Sequence, residues 1–362
     1  PRHPHAQLRR QRQMCIRDRP ITPSSVTGEH KNKKYRSWDP FAWYENGTYY
    51  AIFGGEHPAI VKSSSLEGNW RYVGDLFAHG LEGVSLEEDV SCAELFRLGD
   101  KDVLLCISHR LGCRYYVGEW KHEQFYPDTH AQMSWVDQSF FAPESLVDDQ
   151  CRRIMWSWVL DFRDLGVYFD HGWSGVLSLP RVLSLNSDSD AEGRLRFEVP
   201  SEIERLRYRP FKAENITLEP EVDFVVEDLR GDSLELAIDM ERVDASEFGV
   251  KVCVSPDGEE QTVISYDAVQ GELKIDTRKS GPDDSPKEVE TGPISLERDE
   301  RLQLRVFVDK SVIEVFANNR QAVVRRIYPA RTDSLGVSLF ATGGGAKVRI
   351  LEAWHISPSN PY

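Results

Sequence analysis

Two carboxylates that open neighbouring stretches of apolar, aromatic-rich sequence are the residues best suited to chemistry. Asp39 stands between Trp38 and Pro40, and Asp89 follows Glu87 and Glu88 and leads into Val90-Ser91-Cys92-Ala93-Glu94. Proline cannot donate to a sheet ladder, so Pro40 marks a strand start and leaves the Asp39 carboxylate to point away from it. Side chains alternate along a strand, which puts Asp89 and Ser91 on one face and Glu88 and Val90 on the other. Two carboxyl groups meeting at one cleft, one ionised and one kept protonated by its surroundings, can cleave a glycosidic bond. Acidic residues also crowd strand-connecting loops, so spacing alone leaves both readings open. Indole rings favour the chemical one, because their faces stack on the apolar faces of sugars. Trp38, Trp43, Trp156, Trp158 and Trp173 lie in or beside these strands. Trp38 and Trp158 are expected to touch sugar, and the others to serve as core.

A repeat would bring these residues together. Openings at Asp39, Ser91 and Ala142 are 52 and 51 residues apart. Each is followed by a turn marked by Gly, Asn or Asp and then by further apolar strands. The strands fall near 49–53, 59–62 and 70–77, then 103–108, 114–120 and 124–126, then 153–159, 175–179 and 182–185. A four-strand unit with a period near fifty predicts propeller blades, whose innermost first strands line a shared channel. The openings are therefore expected to converge there. This partial β-propeller spans 37–199, a linker with a short helix covers 200–212, and about ten alternating strands over 213–362 predict an antiparallel β-sandwich.

Bulk properties narrow the function classes. The 362 residues are 40% hydrophobic and 28% charged, as in ordinary globular proteins. A net charge of −15 opposes nucleic acid and anionic lipid as partners. No apolar run reaches the length of a bilayer span, and a neutral oligo- or polysaccharide fits best. The six cysteines show no zinc spacing, so neither a metal nor a disulfide framework is expected, and no cofactor is called for. Cysteines are expected as small buried side chains, with Cys92 the one to watch. Residues 1–36 read as a leader and loop; their first nineteen hold six arginines. Native sequence is expected to begin near Pro20.

The motifs resemble glycoside hydrolase family 32, the invertases, levanases and inulinases. Trp38-Asp39-Pro40 is similar to the family's Arg-Asp-Pro, and Ser91-Cys92-Ala93-Glu94 to its Glu-Cys-Pro-Asp. Phe141-Ala142-Pro143-Glu144 with Arg152-Arg153-Ile154-Met155-Trp156-Ser157-Trp158 resembles Tyr-Ala-Pro-Gln with Arg-Arg-Ile-Leu-Trp-Gly-Trp. Gly172-Trp173-Ser174-Gly175-Val176-Leu177-Ser178-Leu179-Pro180-Arg181 and Asp309-Lys310-Ser311-Val312-Ile313-Glu314-Val315-Phe316 also have family counterparts.

The resemblance implies a five-bladed propeller, of which about three blades, the third to fifth, are present, followed by a β-sandwich. It implies retaining cleavage of β-fructofuranosides such as sucrose, levan or inulin, with Asp39 stabilising the transition state. Trp38, Ser91, Cys92, Glu94, Glu144 and Trp158 become candidate substrate contacts. Nothing in the sequence matches the family's nucleophile motif Trp-Met-Asn-Asp-Pro-Asn-Gly, so this chain is read as truncated and inactive. The family's acid/base glutamate falls on Ser91, whose hydroxyl is a poor acid. Asp89 is the expected replacement, with Glu88 the alternative if a bulge shifts the register. Rival readings are a carbohydrate-binding protein with a degenerate site, a fructosyltransferase and an arabinosidase-like propeller enzyme.

Overall fold

The computed structural model describes residues 38–360 apart from 69, 87, 137–138, 164–165, 167–168, 171, 186–193 and 283–284. The expected leader at 1–36 lies outside the described residues, as does Glu87. The fold is all-β, with twenty-five strands among the described residues. Two compact bodies divide it, one built on residues up to 110 together with 115–130, the other on 111–114 and everything after 130.

In the first body, β1 (Phe41–Glu45), β2 (Thr48–Phe53), β3 (Ala59–Ser63) and β4 (Arg71–Asp75) form an antiparallel sheet in chain order. Asn46 and Gly47 close the first hairpin at φ 47° and 81°. A two-residue turn with both φ positive matches the twist of the flanking strands, and Asn-Gly adopts it readily. A second sheet, also in chain order, contains β5 (Ser91–Leu98), β6 (Lys101–Ser108), β7 (Gly112–Lys121) and β8 (Gln124–Gln132). Trp43 is half-buried instead of core, its ring stacking on Tyr50 at 5.4 Å and meeting Trp120 edge-on at 5.1 Å, and Trp173, also expected in the core, is exposed.

The first two repeats are joined through backbone. Gly54 N donates to Trp38 O at 2.8 Å, and Gly55 and Val90 exchange hydrogen bonds at 2.8 and 3.3 Å. Gly54 has to be glycine, since a Cβ there would lie 2.1 Å from the Val90 carbonyl oxygen.

The second body opens with β9 (Phe140–Val147), β10 (Arg153–Val159), β11 (Val176–Leu177), β12 (Arg181–Leu185) and β13 (Leu195–Glu198). The sequence also reads 194–199 as a strand, and β13 is found there; what departs from expectation in this sheet is how the strands are grouped. The segments at 175–179 and 182–185 are not successive strands of the repeat. Instead, β11 and β12 pair with the same edge of β10, and β13 pairs with β12 as the outer strand. The interruption falls at Pro180, which has no N–H to donate. Beside it, the Ser178 hydroxyl accepts from Ser157 N at 3.1 Å.

A 3-10 turn at Ser201–Leu206 occupies the expected short helix. Twelve strands follow, from Arg207–Leu218 to Ala346–Ile356, where alternation had suggested about ten. They form two six-stranded sheets. Leu236, Val306 and Val315 of one sheet share a single core with Val250, Ile264 and Leu339 of the other.

Three buried carboxylates from or facing these sheets hold the preceding segment. Glu290 accepts from Trp135 N at 2.7 Å and Val136 N at 3.2 Å, and lies 3.5 Å from Arg325. Glu314 accepts from Leu179 N and pairs with Arg181 at 3.1 Å. Burial pushes the Glu314 carboxyl above its ordinary range, against the Arg181 charge and the Leu179 amide. Asp161 accepts from Arg163 at 2.7 Å and from the Tyr328 hydroxyl at 2.8 Å, with Arg326 3.5 Å away. Burial alone would raise Asp161, but the Arg163 and Tyr328 hydrogen bonds outweigh it and hold the carboxyl at about 2.

Two consequences can be measured. Gly54→Ala forces the Val90 backbone to shift and is expected to destabilise the chain by about 1–3 kcal/mol, read as a lower urea midpoint. Because folding lowers the Asp161 pKa from 3.8 to about 2, its stabilising contribution is present above pH 4 and lost as pH falls from about 4 to 2. Asp161→Asn should therefore flatten the acid limb of a stability profile over that interval, while leaving less stability at neutral pH.

Candidate active site

The first body brings Trp38, Asp39, Asp89, Ser91 and Cys92 together. Trp38 Nε1 donates to Ser91 Oγ at 3.0 Å, and Ser91 Oγ donates to Asp89 Oδ1 at 2.9 Å. A hydroxyl has one hydrogen and two lone pairs, so Ser91 relays between an indole donor and a carboxylate acceptor. Beside this link, the Cys92 thiol lies 3.7 Å from Asp39 Oδ2. The shared face predicted for Asp89 and Ser91 is thus present.

Local backbone geometry explains the meeting. Asp39 and Cys92 both take left-handed conformations, at φ 40° and 47°. In the pairing of β5 with β6, Ser91 opposes Ile107 but Glu94 opposes Leu105, so Cys92 and Ala93 form a bulge opposite Cys106. Bulges bend a strand and re-aim its side chains. Here the bend carries Cys92 towards Asp39. The register shift falls past Ser91, and Glu88 stays buried, accepting from Ser108 Oγ at 2.5 Å. Glu94 lies beyond the bulge and is 3% exposed.

The sequence reading missed His109. Its backbone N–H donates to Asp89 Oδ2 at 2.9 Å, and its ring Nδ1 contacts the same oxygen. Asp89 therefore meets Ser91 on one oxygen and His109 on the other. Regular strand register would not have found it: extending the hairpin without the bulge sets Arg110 opposite Asp89, and only the one-residue shift at Cys92 and Ala93 replaces it with His109.

The remaining candidates belong to the second body. Glu144, on β9, is exposed and opposite Trp156. Trp158, on β10, is 43% exposed and opposite Phe141, whose ring it meets at 90° with centroids 6.3 Å apart. Here too a bulge lies beside a left-handed residue, between Trp156 and Trp158 and next to Ala142 at φ 48°. Cys151 departs from the expectation of burial and sits exposed in a turn, whereas Cys106, Cys113 and Cys253 are buried. Among the described residues, no three His, Cys, Asp or Glu side chains are grouped as metal ligands would be.

Ser91→Ala removes the acceptor of the Trp38 indole and one donor to Asp89. A loss of about 1–3 kcal/mol in urea unfolding is expected. Ser91→Thr, which keeps the hydroxyl, should recover most of it.

Comparison with known proteins places this geometry in context. Residues 9–196 match the N-terminal domain of glycosyl hydrolases family 32, and residues 202–355 match that family's C-terminal domain. The chain is 25% identical over 351 residues to a sucrose-6-phosphate hydrolase of Zymomonas mobilis, an alignment covering 89% of this chain and 66% of that protein. It is 26% identical to a levanase of Bacillus subtilis, covering 89% of this chain and 53% of the levanase. The chain thus spans less than two thirds of these relatives' lengths. Fructan 1-exohydrolase IIa of Cichorium intybus has a similar fold, with a TM-score of 0.81 at 18% identity over 95% of this chain and 75% of that one. A variant of the same exohydrolase in complex with 1-kestose matches with a TM-score of 0.79 at 18% identity, over 93% of this chain and 75% of that one.

Proposed function

This chain belongs to glycosyl hydrolase family 32, and on that footing we propose that it carries part of a β-fructofuranosidase-like site acting on sucrose, levan or inulin by a retaining mechanism. The observation that supports this reading best is the double link between two repeat openings, Trp38 to Ser91 and Cys92 to Asp39. Those openings are the segments that correspond to family motifs. In this reading the first three sheets are blades of a five-bladed propeller over 37–199, the linker is 200–212, and 213–362 is a β-sandwich.

Asp39 stabilises the oxocarbenium-like sugar, and Asp89 takes over proton transfer from the position that Ser91 occupies. Given a nucleophilic aspartate, protonation of the leaving oxygen would let the fructosyl bond break with its electron pair on that oxygen while the nucleophile bonds to the anomeric carbon. The Asp89 carboxylate would then draw a proton from the water that displaces the nucleophile. Trp38, Ser91, Cys92 and Glu94 form or support one set of substrate contacts, and Glu144 and Trp158 supply further ones. No organic cofactor or metal has a role in this chemistry. The nucleophilic aspartate that covalent catalysis requires has no counterpart among the 362 residues. We therefore expect this chain to bind fructosides without turning them over.

Ser91, standing where an acid/base glutamate is expected, favours a second reading: a carbohydrate-binding protein that has lost hydrolysis. Calorimetry with sucrose, inulin and levan, run beside a reducing-sugar assay, tests the fructoside site that both readings share. Binding of at least one of them is expected, weakened about tenfold or more by Asp39→Asn and by Asp89→Asn and left near wild type by Glu88→Gln. Loss on Glu88→Gln with none on Asp89→Asn would reverse the assignment. Affinity for an arabinan in place of all three fructosides would sink the fructoside reading. Turnover by the purified chain would overturn the expectation of inactivity.

A further inference from the structure

The exposed indole of Trp158 owes its position to two local departures from a regular sheet. The first is the bulge in the pairing of β9 with β10, between Trp156 and Trp158. Ser157 fixes it, with its hydroxyl donating to Phe141 O and its N–H donating to Ser178 Oγ at 3.1 Å. The second is Gly175, just before β11. Gly175 has φ 68°, a left-handed conformation. A Cβ built there would stand 1.9 Å from Trp158 Nε1 and 2.9 Å from both Cδ1 and Cε2. The indole edge therefore rests directly on the Gly175 backbone, in space that any other residue would fill.

We propose that Gly175 is a positioning residue that seats the Trp158 indole, between its own backbone and Phe141, as an aromatic shelf for a neutral sugar ring. This rests on the reading of Trp158 as a sugar contact. Aromatic faces bind sugars through their apolar C–H faces, and such stacking depends on ring orientation as much as on ring presence. A ring tilted off the shelf loses that contact even though Trp158 is still in the chain.

Gly172 provides the control. It lies in the same segment with φ 74°, and nothing stands within 4 Å of a Cβ built there. Gly172→Ala and Gly175→Ala both place a side chain on a left-handed backbone, but only Gly175→Ala collides with the indole. The experiment uses the 362-residue chain labelled on its indole nitrogens, with the Trp158 resonance assigned from Trp158→Phe and inulin binding followed by calorimetry.

Gly175→Ala is expected to move the Trp158 resonance and weaken inulin binding about tenfold or more, whereas Gly172→Ala changes neither. Trp158→Ala should weaken binding to the same degree, and the double variant Trp158→Ala with Gly175→Ala should be no worse than Trp158→Ala alone. An unmoved Trp158 resonance in Gly175→Ala overturns the proposal. So does an equal loss of binding in Gly172→Ala, or an additive loss in the double variant. If the wild-type chain binds no inulin, or binds it equally well with Trp158→Ala, the sugar-contact reading falls and takes the shelf with it. That failure appears without reference to Gly175, so the two can be told apart.

Discussion

Each repeat begins by turning its backbone into the left-handed region at a residue that is not glycine. Asp39 and Ala142, the first and third openings, and Cys92, one residue past the second, have φ of 40°, 48° and 47°. A left-handed conformation costs an L-residue roughly 1–2 kcal/mol, so three recurrences mark a constraint that the surrounding hydrogen bonds must offset. At Cys92 and beside Ala142 the turn coincides with a bulge, and at Asp39 it precedes Pro40. The bend decides which way the first side chains of each strand point. With regular strands at these positions, Cys92 would not be carried towards Asp39.

Charges buried away from the candidate residues do a different job. Glu290, Glu314 and Asp161 are each under 8% exposed, and each accepts hydrogen bonds from backbone amides as well as side chains. A buried carboxylate is tolerable only when its oxygens are satisfied, and main-chain amides of irregular segments need acceptors just as much. The two needs are met together. Residues 135–136 and Leu179 lie outside the ladders, and carboxylates take the place of sheet partners for their N–H groups. Arg181, stacked 4.1 Å from the Phe140 ring, adds cation–π attraction to its ion pair with Glu314.

Much of the first body was legible in the residues alone. Asn46-Gly47 announced its hairpin, and apolar runs located the strands of the first two sheets to within a few positions, apart from β8, which runs on to Gln132, because turn chemistry and alternation act locally. The third sheet was harder. Its third strand is broken by Pro180 and its outer strand, Leu195–Glu198, comes after a long intervening segment, so the strand legible at 194–199 was left out of the repeat and 182–185 took the outer position. In the candidate site, the common face of Asp89 and Ser91 followed from simple alternation. His109 did not, because its placement depends on a bulge at Cys92 and Ala93 that no composition signal advertises. The orientation of Trp158 was equally hidden, since it is set by the missing side chain at Gly175.

The carboxylates that hold residues 135–136, Leu179 and Arg163 also bear on how the chain comes off the ribosome. Glu290 and Glu314 are translated long after the amides they receive, as is Tyr328 after Asp161. Nascent chains tend to fold from the N-terminus, unit by unit. The Trp38–Ser91–Asp89 link, by contrast, closes within residues 38–91, all of which emerge early. The amides of Trp135, Val136 and Leu179 have to wait, answered by water, until the last third of the polypeptide has emerged.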